Sequence, residues 1–84
     1  MKYSYKTNGT CAFKIDFNID GDIISDIVFS GGCDGNHKAI SSLCEGQKAS
    51  YIIDKLSGIK CGFRNTSCGD QLAKAVEAAL NENE

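Results

Sequence analysis

A chain of 84 residues carrying nine Lys and Arg against eleven Asp and Glu, net charge -2, is one modest domain with no basic footprint for a phosphate backbone. Its hydrophobic fraction of 42% and charged fraction of 24% are ordinary for a globular fold, which argues against disorder. The length excludes a large enzyme with its own cleft and barrel, and nucleic-acid binding is not expected.

In chain order, Tyr3-Ser4-Tyr5-Lys6-Thr7 alternates and is rich in β-formers, and Asn8-Gly9 marks a turn before Thr10-Cys11. From Ala12 to Ile19 one face carries Phe13, Ile15, Phe17 and Ile19 and the other Lys14, Asp16 and Asn18, the pattern of a half-buried strand. Asp20-Gly21 is read as the centre of a type I′ turn, and Ile23 to Ser30 returns as the partner strand of a hairpin. After the loop Ser30-Gly31-Gly32-Cys33-Asp34-Gly35 the period changes. Ala39, Ile40, Leu43 and Cys44 recur at helical spacing, with Gly46 as the cap.

A second short helix begins near Ala49, runs through Tyr51, Ile52, Ile53 and Leu56, and closes at Gly58. Ser67-x-x-Asp70 resembles a capping box, and Leu72, Ala73, Val76, Ala79 and Leu80 then form the stripe of the last and longest helix, with a tail from Asn81 to Glu84 that should fray. The sum is one α+β domain over residues 1–84: a three-stranded antiparallel sheet with two short helices and a longer C-terminal helix on one face, in the order β-β-β-α-α-α. No apolar run approaches a membrane span, and the polar start lacks a signal-peptide core, so a cytoplasmic protein is expected.

Five cysteines, an odd number with no export signal, favour reduced thiols, metal ligation or redox chemistry over structural disulfides. Cys11, Cys33, Cys61 and Cys68 all fall at element boundaries. Cys33 and Cys68 stand at helix starts, where unpaired N–H groups and the helix dipole favour thiolate. Short connections would bring Cys11, Cys33 and Cys68 to one end of the fold, with Cys61 within a loop's reach. Four such thiolates suit zinc or an iron–sulfur cluster. The competing reading is that some are small buried hydrophobes, and it is preferred for Cys44 on the stripe of the first helix.

Gly31, Gly32, Gly35 and Asn36, with Ser67 at the last helix's start, form a second candidate site, in which backbone N–H groups would hold the phosphate of a nucleotide or flavin. Sharp chain reversal explains the glycines equally well. A third candidate is a thiol redox protein cycling a Cys33–Cys68 disulfide. His37 could be a spare ligand or general base, and an exposed polar helix residue is the preferred reading.

The runs Gly9-Thr10-Cys11, FSGGCDGNHKAI, GIKCG and NTSCGDQLAKAV resemble the small TSCPD-domain proteins across nearly the whole chain. The family motif Thr-Ser-Cys-Pro-Asp is met by Thr66-Ser67-Cys68-Gly69-Asp70, with Gly69 in place of proline. Related domains occur at the C-terminus of some ribonucleotide reductases. The resemblance therefore implies a small cysteine-rich module associated with ribonucleotide reduction, partnered by that reductase or another redox protein, and too small to perform the reduction alone. The placing of Cys11, Cys33 and Cys68 is also similar to the three cluster ligands of NifU- and IscU-type iron–sulfur scaffolds, although Phe13 stands where those carry an acidic residue. That likeness implies an IscU-like fold. A homodimer through a sheet edge is a further expectation.

Overall fold

The computed structural model describes residues 1–7, 14–31, 34–60 and 66–82, with the backbone alone for 34–36. The chain forms strands β1 (Lys2–Lys6), β2 (Lys14–Asp20) and β3 (Ile23–Ser30), helix α1 (Asp34–Cys44), strand β4 (Gln47–Lys48), and helices α2 (Ala49–Leu56) and α3 (Cys68–Glu82). The α+β class, the antiparallel sheet and the three helices, the last of them the longest, agree with the sequence.

The sheet has four strands rather than three, in the order β1-β2-β3-β4 and antiparallel throughout. The added strand is two residues long and pairs Gln47 and Lys48 with Ile24 and Ile23. It escapes a periodicity argument because two residues define no period. Backbone bonds from Gly46 N–H to Ile24 C=O (2.8 Å) and from Ala49 N–H to Asp22 C=O (2.7 Å) stitch it in place. Gly46 makes the preceding reversal at φ 75, a left-handed conformation open to glycine at little cost.

Alternation sets the faces of the sheet. Ile15, Phe17 and Ile19 of β2 are buried beneath the helices, while Lys14 and Asp20 face water. Phe17 opposes Tyr3 across the β1–β2 ladder, their rings 5.5 Å apart. The hairpin turn centres on Gly21-Asp22, since Asp20 pairs with Ile23. Positive φ falls on Gly21 (62) and not on Asp22, which fits a type II′ turn in place of the expected I′.

In β3 the ladder slips between Asp16, which pairs with Val28, and Asn18, which pairs with Ser25. Phe17 thus faces two residues, Asp26 and Ile27, a β-bulge with Asp26 at φ 53. The bulge lets Ile24 and Ile27, three residues apart, both point inward. Glu45 accepts the Asp26 N–H (2.9 Å), so a turn after α1 holds the bulge.

On the inner face α3 contributes Leu72, Ala75, Val76 and Ala79, and α2 contributes Ala49 and Ile52. Small residues on α3 let it lie close against α2 and the sheet. Glu82, expected in the frayed tail, belongs to α3, and its carboxylate bonds Tyr3; burial first and this carboxylate second push the Tyr3 phenol up. Among the described residues no helix is long and apolar enough to cross a membrane.

Candidate functional site: a buried cysteine–histidine pair

The start of α3 is built by Thr66 to Asp70. Ser67 is the N-cap: its hydroxyl accepts the Asp70 N–H (3.1 Å), and its carbonyl accepts the Gln71 N–H (2.8 Å). Cys68 is therefore the first helical residue. The expected capping box is only half formed, because the Asp70 carboxylate does not turn back to its own helix start. It accepts instead from the Thr66 hydroxyl and from the Gly58 N–H (2.7 Å) just past α2, with Lys74 Nζ 3.5 Å away. Gln71 Nε2 donates to Thr66 Oγ1 (3.0 Å) and closes the network.

Burial pushes the Asp70 carboxyl up, but the Thr66 hydroxyl, the Gly58 N–H and Lys74 outweigh it and hold the group below its ordinary value. Asp70 thereby ties the end of α2 to the start of α3. Gly69, in the motif's proline position, faces Leu56 of α2, and a Cβ there would lie 3.5 Å from Leu56 Cδ2, an ordinary contact. The departure from the motif leaves the helix start intact.

Cys68 is 6% exposed, and its Sγ lies 3.1 Å from His37 Nε2. His37 is 5% exposed, so the exposed helix residue expected from the sequence is in fact buried. Its ring stacks on Phe29 of β3, centroids 4.3 Å apart and planes 14° from parallel. The reason lies in which stripe of α1 faces inward. Ala39 and Leu43, expected inside, face solvent, and the inward stripe is His37, Ile40, Ser41 and Cys44. The i, i+3, i+4, i+7 spacing of that stripe is the sequence signal that could have found the histidine.

A cavity of about 300 Å³ lies between β3 and α1, lined by Ile27, Val28, Phe29, His37, Lys38 and Ser41. Cys44 sits in the core, where burial pushes its thiol up, in keeping with the packing role expected for it.

Of the four cysteines expected to converge, Cys68 is placed, while Cys11, Cys33 and Cys61 lie outside the described residues. Among the described residues no group of three or more His, Cys, Asp or Glu side chains is arranged to hold a metal, and Cys68 and His37 are the two such side chains in contact at this site. For the glycine-loop candidate, Gly31 is an exposed bend at φ 83 after β3, Gly32 lies outside the described residues, and Gly35 and Asn36 fall in the first turn of α1. The Ser67 hydroxyl is engaged as the cap of its own helix.

The family model described as the TSCPD domain matches residues 1–80. No curated protein and no solved structure matches the chain.

Proposed function

The chain belongs to the TSCPD-domain family, and on that premise we propose that it is a thiolate-based ligand module, anchored on Cys68, that holds zinc or an iron–sulfur cluster in the service of ribonucleotide reduction. One observation supports this reading above the others: a buried sulfur at the first position of α3 with an imidazole nitrogen 3.1 Å away. A cysteine kept for packing sits among apolar groups, as Cys44 does. Cys68 instead sits where helix N–H groups favour an anion, with a borderline-soft donor at its side.

Sulfur and imidazole nitrogen are the donor types that zinc takes, so the chemistry of the pair fits the group. Cys11, Cys33 and Cys61 complete the proposed thiolate set, and a ribonucleotide reductase or another redox protein is the proposed partner. Elemental analysis of protein purified without oxygen tests the reading. Stoichiometric zinc or iron is expected, lost in Cys68→Ser and kept in Cys44→Ser. Metal-free protein, or metal unaffected when Cys33 and Cys68 are both changed to Ser, would sink it.

The same contact favours a second reading, a reactive thiol, because an imidazole beside a cysteine is the arrangement that activates sulfur. In that case Cys33 and Cys68 give two electrons and two protons to an added disulfide and pair with each other. Thiol counting before and after oxidised glutathione separates the two.

A further inference from the structure

Burying an imidazole costs free energy unless its nitrogens are met by partners, and a residue needed only for volume at this place would be apolar. His37, the one histidine of the chain, is nevertheless 5% exposed. Its ring plane is fixed by the stack on Phe29, and its Nε2 is directed at the sulfur of a residue 31 positions away on another helix. The ring is thus held in one orientation, with one nitrogen aimed at one atom.

From this geometry we infer that His37 is a metal ligand in its own right: Nε2 and Cys68 Sγ bind one divalent ion side by side, as a mixed nitrogen–sulfur pair in which His37 stands in for one of the other three cysteines, and that ion is zinc rather than a cluster. The inference rests on the metal reading of Cys68 above. Two donors of a tetrahedral zinc, with Zn–S at about 2.3 Å and Zn–N at about 2.0–2.1 Å, stand roughly 3.5 Å apart. The present 3.1 Å is a few tenths of an ångström short of that, a shift that small side-chain rotations supply. Iron–sulfur clusters are held by thiolates, and the Rieske type, which uses imidazole, needs two histidines on one iron, whereas His37 is the one histidine of the chain. One histidine beside one cysteine matches the mixed Cys/His sets of single zinc ions instead. The cavity between β3 and α1 counts His37, though not Cys68, among its lining residues.

Cobalt(II) added to metal-free protein tests the inference, because its visible spectrum reports donor type directly and zinc competition then reports affinity. The wild type is expected to show a tetrahedral spectrum of mixed nitrogen and sulfur donors. His37→Phe keeps a ring against Phe29 but removes the nitrogen, and should weaken cobalt and zinc binding about tenfold or more, taking the outer-shell losses of 10–100-fold as the lower guide. His37→Cys should restore binding with a more sulfur-rich spectrum. Circular dichroism of each variant separates lost ligation from lost fold. A His37→Phe protein that is folded and keeps the wild-type spectrum and affinity overturns the inference while leaving the thiolate reading standing. So does a wild type that, after iron and sulfide are supplied, takes up a cluster in preference to zinc. A wild type that binds no metal overturns both.

Discussion

Asp70 does more at the single-residue level than a helix cap. Its carboxylate receives the Thr66 hydroxyl and the Gly58 N–H and lies near Lys74, and its N–H meets the Ser67 hydroxyl, so the first, second and fifth places of one motif are joined through one network around Cys68. Its folded-state pKa is held below the unfolded value, so the stability it adds is fully present above the ordinary aspartate range near pH 3.9 and is lost as pH falls through the lower, folded value. Asp70→Asn should cost about 1–3 kcal/mol at pH 7, the usual worth of hydrogen bonds to a charged group, and should flatten the acid limb of stability. Urea midpoints from pH 7 to pH 3 check this; a variant as acid-sensitive as the wild type contradicts it. The motif was readable in the sequence as a helix start. That its acid reaches across to α2 was not, because no local pattern announces a bond to Gly58. His37 was misjudged for a related reason: a polar residue near a helix start looks solvated until the inward stripe is correctly phased.

Among elements, the clearest in the sequence were those with a sustained period. The alternation of Ile15, Phe17 and Ile19 and the stripe of α3 named their buried faces correctly, since water and core select on the same spacing. What escaped were features set by partners: the two-residue β4, the centre of the hairpin turn, and the slip in β3. The slip exacts a local strain. Asp26 holds φ 53 with its N–H on Glu45, a conformation costing an ordinary L-residue roughly 1–2 kcal/mol and an aspartate somewhat less. Asp26→Gly should therefore hold stability level or raise it by up to about 1 kcal/mol, whereas Asp26→Val should lower it by about 1–2 kcal/mol. Chemical unfolding curves of the two variants would refute this if both shifted in the same direction.

For the molecule as a whole, the fold class and the order of the elements other than β4 follow from the sequence, but the candidate site does not, because it joins parts that are remote along the chain. α1, which carries His37, packs chiefly on β3, while α3, which carries Cys68, packs chiefly on α2. An ion held by both side chains binds only when these two parts are docked, so it stabilises the folded state alone. Zinc at 100 times its dissociation constant should add about 2.7 kcal/mol to wild-type stability and leave Cys68→Ser unchanged. Thermal melts with and without zinc check it; equal shifts in the two proteins would count against the site. The His37–Cys68 contact has a further consequence for how the protein breathes. Without an occupant, α1 can open from the sheet while α3 stays closed, and amide exchange in the two helices follows separate clocks. With one, neither helix can lift without releasing the ion. Exchange in α1 and at the head of α3 then slows to a common rate, and a small domain with two local opening modes becomes one that opens as a unit.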